Sequence, residues 1–218
     1  MRHAALIFLT AIALAVLGSA GISRVAGAAP APDALMRLKN KNPAVRFQAA
    51  VELGRVGKME HTSRLASLLA DENAAVREAA NRSLWKIWMR SDNPEIDTLM
   101  KRGVGLMESG RLEEAIAVFA EMIRLKPGYA EGWNKRATAL WMARRYQESV
   151  ADCIKVIELN PHHFGALSGL GLNYLGMNDM EAALDAFKRT LEILPYSRSA
   201  VRYIEILEKK LSESRKKI

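Results

Sequence analysis

Apolar and polar residues follow each other with the period of an α-helix along most of this chain. Between residues 199 and 210, for example, Val201, Ile204 and Leu207 lie three residues apart among charged residues. That spacing places the three side chains on one face and predicts an amphipathic helix. Alanine, leucine, glutamate, lysine and arginine, which enter helices at little cost, are abundant throughout. Pattern and composition together predict an all-α protein.

Three prolines divide the C-terminal half of the chain into equal units. Pro127, Pro161 and Pro195 recur at an interval of 34 residues, each directly after an apolar helical stretch. When the three units are aligned on these prolines, small and apolar residues fall at equivalent positions. The equivalent sets are Gly103, Ala137 and Gly171; Leu106, Leu140 and Tyr174; Ala115, Ser149 and Ala183; Phe119, Cys153 and Phe187. Since proline lacks the N–H that a helix interior needs, each proline ends the second helix of its unit.

This register resembles the tetratricopeptide repeat, a unit of two antiparallel helices. The resemblance covers residues 95–197, with units at about 96–129, 130–163 and 164–197. It implies a right-handed α-solenoid in which the small residue of each first helix lets the second helix approach. We expect residues 198–214 to form one more helix, with a polar outer face, that caps the stack.

A shorter period precedes these units. The stretch 42–46 (NPAVR) is echoed 31 residues later by 73–77 (NAAVR). Asn42 and Asn73 are predicted N-caps, and Pro43 occupies the first helical position, where proline is favoured. The whole segment 33–92 resembles a pair of short HEAT repeats. Because two such units are too few to bury a continuous core, we expect the pair to pack against the first tetratricopeptide unit.

The N-terminus has the layout of a secretory signal. A basic start precedes an uncharged apolar run from Ala4 to Leu17, and small residues follow. The run is roughly 14 residues long, shorter than the ~20 that a membrane-spanning helix needs. We expect residues 1–28 to be a signal peptide, cleaved after Ala20 or Ala28, which in a Gram-negative bacterium directs the protein to the periplasm. An uncleaved anchor or a core helix is the alternative.

The charge balance is basic. The chain carries 32 lysines and arginines against 24 aspartates and glutamates, a net charge of +8. Removing residues 1–28 leaves 30 basic and 24 acidic residues, a net charge of +6. This surplus is moderate and spread out, so it favours an acidic protein or a membrane surface as partner and argues against nucleic acid, as does export.

Nothing in the sequence indicates catalysis or a metal site. The four histidines lack further ligands at helical spacing, and we expect His162 and His163 in an exposed turn. The single cysteine, Cys153, aligns with the core positions Phe119 and Phe187, so we expect a buried thiol rather than a nucleophile. We therefore expect no enzymatic activity and no cofactor.

The resemblance also implies where a ligand would bind, because the first helices of successive tetratricopeptide units line a concave groove. The groove positions carry a mixture of aromatic, apolar and polar side chains: Met107, Asn134, Lys135, Thr138, Trp141, Met142, Leu172 and Leu175. Some members of the family grip a C-terminal carboxylate with a clamp of lysine, asparagine and arginine, of which only Lys135 is retained here. We expect Trp141 to anchor a ligand. The alternative is that Trp141 packs against the neighbouring unit.

These features together predict an adaptor. We expect an exported protein that binds a protein or peptide partner in its concave groove, with Trp85 and Trp88 buried at the seam between the two kinds of repeat. A membrane-associated scaffold, held by the N-terminal helix or by the basic surface, is the alternative function.

Overall fold

The computed structural model describes residues 32–215, and helices with short connections make up this part of the chain. The predicted all-α helical repeat fold is confirmed. The proposed signal peptide, residues 1–28, lies outside the described residues. The α-helices are α1 Pro32–Arg37, α2 Pro43–Val56, α3 Thr62–Ala66, α4 Ala74–Trp88, α5 Pro94–Glu108, α6 Leu112–Leu125, α7 Ala130–Met142, α8 Tyr146–Leu159, α9 Phe164–Gly176, α10 Met180–Ile193 and α11 Arg198–Arg215.

Helices α1 to α4 form the HEAT-like segment, in which α2 packs against α4. Both helices begin at the predicted caps, because the side chains of Asn42 and Asn73 accept hydrogen bonds from backbone N–H groups of the turn that follows. The two helices approach closely where Gly54 of α2 faces Ser83 of α4. A Cβ at Gly54 would lie 2.4 Å from the Ser83 hydroxyl, so this contact requires glycine.

Two arginines fix the ends of these helices. Arg46 donates from Nε and Nη2 to the two carboxylate oxygens of Asp71 at 2.7 and 2.8 Å, and both side chains are largely buried. Arg90 donates to the backbone carbonyls of Gly54 and Arg55 at 3.0 and 2.9 Å, and also to that of Gly57. These carbonyls belong to the C-terminal end of α2, where a helix leaves its own acceptors unpaired.

The tetratricopeptide units are the helix pairs α5–α6, α7–α8 and α9–α10. The small residues of the first helices lie against the second helix of the same unit, as the repeat register predicted. A Cβ at Gly103 would lie 2.4 Å from the ring of Phe119, and one at Gly171 would lie 2.7 Å from the ring of Phe187. Helix α11 packs on α10, with the rings of Tyr203 and Phe187 stacked at a centroid distance of 4.7 Å.

Helix α4 and the short connection that follows it, residues 89–93, run along three turns. These turns join the tetratricopeptide units to one another and to α11. At the first turn the Tyr129 hydroxyl donates to the Met89 carbonyl at 2.8 Å. At the second, the rings of Trp85 and Trp88 pack against His163 and Phe164. At the third turn, the guanidinium of Arg77, near the start of α4, lies 3.8 Å from the centre of the Tyr196 ring. The HEAT-like segment therefore contacts all three turns. The sequence predicted contact with the first tetratricopeptide unit, and the interface extends well beyond that unit.

Candidate functional site

A narrow pocket opens between α7 and α9, the first helices of the second and third tetratricopeptide units. Four of the predicted groove residues line it: Asn134, Thr138, Trp141 and Leu172. The other lining residues are Ala137, Ser149, Cys153, Gly165, Gly169 and Asn173. The enclosed space is only about 10 Å³, enough for about one water molecule or one group of that size. Gly169 on the α9 side leaves the pocket open to the approach of a polypeptide backbone, since a Cβ there would meet only the Cys153 sulfur.

The remaining four predicted groove residues lie elsewhere. Met107 is buried in the hydrophobic core of the first unit, and Met142 packs half-buried against that core. Leu175 packs against the core formed by α10 and α11. Lys135 is buried beside the carboxylate of Glu131, with its Nζ 4.0 Å away. The structure thus brings one half of the predicted set together and disperses the other half.

One side of the pocket is closed by the HEAT-like segment. The ring of Trp85 lies against Gly165 so closely that a Cβ there would be 2.9 Å from it. Trp88 is 3% exposed, and Trp85 is half-buried. Both tryptophans therefore occupy the seam between the two kinds of repeat, as the sequence predicted.

A buried polar cluster lies directly beneath these tryptophans. His163 and Glu131 are both fully buried, and the His163 Nε2 lies 2.7 Å from the Glu131 Oε1. The His163 Nδ1 accepts the backbone N–H of Ala166 at 2.9 Å and so caps α9. Because that nitrogen must keep its lone pair, we assign the ring proton to Nε2, which donates to the carboxylate. The second Glu131 oxygen accepts from the Asn134 amide at 2.9 Å.

These contacts keep Glu131 ionised in the interior. Burial by itself would raise the pKa of the Glu131 carboxyl, but the hydrogen bond from His163, the nearby Lys135 charge and the hydrogen bond from Asn134 outweigh it. The pKa of Glu131 thus lies below its ordinary value of 4.5. The cluster therefore joins a groove helix to the turn that contacts α4.

The burial of His163 contradicts the expected exposed turn. Its burial comes from Trp88, whose ring stacks on the imidazole at 4.6 Å, and this neighbour is distant in sequence. The repeat register marks the position of His163. Tyr129, His163 and Ser197 each follow a repeat proline by two residues. The side chains of His163 and Ser197 accept hydrogen bonds from the start of the next helix, and the Tyr129 hydroxyl donates to the Met89 carbonyl.

One of the residues that line the pocket, Asn173, carries an unpaired acceptor. Asn173 is 1% exposed, and its Nδ2 donates to the Gly169 carbonyl at 2.9 Å. Its Oδ1 is also buried but accepts no hydrogen bond from the described residues. A buried carbonyl oxygen left unpaired is costly, so this atom favours a water molecule or a ligand group that donates a hydrogen bond.

The pocket lining also includes the buried thiol of Cys153. Burial raises the pKa of the Cys153 thiol from 9.0 to about 12, so this side chain stays protonated and unreactive at neutral pH. Within residues 32–215, no three histidine, cysteine or acidic side chains cluster as a metal site would require. Among the same residues, no helix combines the length and apolar character needed to cross a bilayer.

Comparison with known families agrees with both kinds of repeat. The family described as HEAT repeats matches residues 31–103, and the family described as tetratricopeptide repeat matches residues 100–153 and 134–198. Residues 100–198 of the chain are tetratricopeptide repeats. They follow a HEAT-like segment directly, and the two matches overlap within α5.

Individual relatives cover parts of this chain. A TPR repeat-containing protein of Rhizobium etli is 35% identical over 128 residues, 59% of this chain and 63% of the relative. The Hsp70-Hsp90 organizing protein of Triticum aestivum is 32% identical over 99 residues, 45% of this chain and 17% of the relative. The chain thus spans less than two thirds of either relative. The first TPR domain of Spaghetti, solved with an HSP90 peptide, shares the fold at a TM-score of 0.52 and 21% identity, covering 54% of this chain and 93% of that one.

Proposed function

We propose that this protein is an adaptor that binds an extended segment of a partner protein in the groove between α7 and α9. The observation that carries the proposal is the unpaired Oδ1 of Asn173, a residue that lines the pocket together with side chains that the family's groove positions predicted. A peptide N–H directed at this oxygen would replace the missing hydrogen bond. The solved Spaghetti domain, which shares this fold, was determined with a bound peptide.

The dimensions of the pocket limit what part of the ligand enters it. A space of about 10 Å³ takes a single N–H group or a small amide, and a large side chain does not fit. Gly169 provides the opening, because a Cβ there would meet only the Cys153 sulfur, at 3.4 Å. The half-buried Trp141 and Leu172 supply apolar contact at the rim, so we expect a ligand with an apolar side chain next to the inserted backbone group.

The proposal is tested by filling the pocket without harming the fold. Gly169→Ala places a methyl group at the pocket mouth, in ordinary van der Waals contact with Cys153. Gly105→Ala is the matched control, since it makes the same change within α5, where a Cβ meets nothing within 4 Å. We expect envelope proteins captured by the wild type to be lost with Gly169→Ala and kept with Gly105→Ala. Identical captured sets for all three proteins would refute the groove assignment.

We further propose that the protein acts in the periplasm. The support is the basic start and short apolar run of residues 1–28, followed by small residues suited to cleavage after Ala20 or Ala28. Mass spectrometry of the protein isolated from fractionated cells is the test, with a mass lacking the first 20 or 28 residues in the soluble periplasmic fraction as the expected result. A full-length mass in the membrane fraction would instead favour a membrane-associated scaffold.

A further inference from the structure

A second cleft, separate from the groove, lies between α4 and the C-terminal helix. It is open to solvent and has a volume of about 920 Å³, within the range of ordinary ligand sites. Residues from the start of α4 form one wall, and the turn around Tyr196 with the first half of α11 forms the other. The apolar part of the lining includes Leu69, Leu194 and Val201.

One wall carries an arginine that is held in place before any ligand arrives. The Arg77 Nη1 donates to the backbone carbonyls of Asp71 and Glu72 at 2.7 and 3.0 Å. The Arg77 guanidinium carbon lies 3.8 Å from the centre of the Tyr196 ring, so one face of the cation is covered. Among the described residues only Nη1 has hydrogen-bond acceptors, which leaves Nε and Nη2 to donate to a ligand.

The opposite wall supplies two more cations. Arg198 and Arg202 are both exposed and lie one helical turn apart near the start of α11. Neither forms an ion pair with any residue between 32 and 215. Two carboxylates also line the cleft, but Glu78 already pairs with Arg82 at 3.7 Å, so Glu205 is the one left without an ion pair in the described part of the chain.

We propose that this cleft binds an acidic peptide segment of a partner protein. Three guanidinium groups face an open, partly apolar space, which suits carboxylates that alternate with an apolar side chain. The apolar lining favours such a peptide over a nucleic acid, whose phosphate backbone offers no apolar side chain to Leu69, Leu194 and Val201. The cleft is a second binding surface, independent of the groove between α7 and α9.

The experiment is a binding titration with a defined probe. A fluorescein-labelled peptide of about 12 residues, with glutamates flanking two central leucines, is titrated with protein residues 29–218 and followed by fluorescence anisotropy. A second peptide with glutamine at every glutamate position controls for apolar binding. We expect saturable binding of the acidic peptide, weaker binding at higher salt, and at least tenfold weaker binding of the glutamine peptide.

Matched variants locate the site. Arg198→Gln with Arg202→Gln should weaken binding of the acidic peptide at least tenfold, whereas Arg55→Gln with Arg64→Gln removes the same charge from exposed positions outside the cleft and should change it less than twofold. Gly169→Ala should leave it unchanged, which separates this cleft from the groove. Equal losses in the two double variants, or no saturable binding by the wild type, would overturn the proposal. So would a single-stranded oligonucleotide that binds as tightly and responds to the same variants.

Discussion

The Nε2 of His163 donates to the Oε1 of Glu131 across 2.7 Å in a site where neither side chain has any exposed surface. The two residues lie 32 positions apart, at the start of one tetratricopeptide unit and just before the next. Trp88 of the HEAT-like segment stacks on the same imidazole. This single pair therefore links two successive units with the helix that runs across them.

Removing the imidazole should destabilise the protein strongly. His163→Ala removes one of the two hydrogen-bond donors of the buried Glu131 carboxylate, the other being Asn134, and also removes the cap of α9. We expect the free energy of unfolding to fall by about 2–4 kcal/mol, because a buried acceptor that loses its donor costs about 1–3 kcal/mol and a lost cap about 1 kcal/mol. His162→Ala, next to it in the same turn but only partly buried, should change it by less than about 0.5 kcal/mol. Urea unfolding followed by circular dichroism measures both, and equal effects would show that the buried pair contributes nothing.

The lowered pKa of Glu131 should appear in the pH dependence of stability. The folded-state pKa lies below the ordinary 4.5, so the unfolded chain binds the proton more readily. The contribution to stability is fully present above pH 4.5 and is lost as the pH falls through the lower folded-state pKa. The test is to measure the free energy of unfolding of the wild type and of Glu131→Gln as the pH is lowered from above 4.5. The glutamine variant should show a shallower decline below pH 4.5, and parallel curves would contradict this assignment.

Two glycines in one helix should respond to alanine in opposite directions. At Gly103 the new methyl group would lie 2.4 Å from the Phe119 ring, so we expect a loss of about 1–3 kcal/mol in the free energy of unfolding. At Gly105 it meets nothing within 4 Å, and the better helix propensity of alanine should add about 0.5–1 kcal/mol. Thermal or urea unfolding of the two variants measures both changes in the free energy of unfolding. A stabilised Gly103→Ala would mean that α5 and α6 are less closely packed than described.

Trp88 should couple the unfolding of the two kinds of repeat. Trp88→Ala removes a nearly buried indole from the seam, and we expect a loss of about 3–5 kcal/mol. The HEAT-like segment, which is too short to persist alone, should then unfold at lower urea than the tetratricopeptide units and give two transitions where the wild type gives one. Limited proteolysis at intermediate urea would identify the segment released first. Lys86→Ala, an exposed change in the same helix, is the control and should keep one transition.

The sequence predicts the repeats well because their determinants are local and periodic. Pro161 and Gly171 fall at fixed places in the 34-residue register, and each acts on a helix within the same or the next unit. The burial of His163 escaped prediction because it depends on Trp88, 75 positions away, and on how the HEAT-like segment docks. The predicted groove residues came from the family's pattern and not from the packing of these particular helices. Thr138 and Leu172 line the pocket, whereas Met107 packs in the core of its own unit.

The path of α4 across three turns also restricts how this protein can evolve. Tandem repeats usually gain or lose units easily, because each unit contacts only its neighbours. Here α4, about 22 Å long, and the residue after it contact all three turns, through Met89 at the first, Trp88 at the second and Arg77 at the third. An inserted unit would move at least one turn away from its contact. We therefore expect a change in the number of tetratricopeptide units to cost some of the contacts with α4.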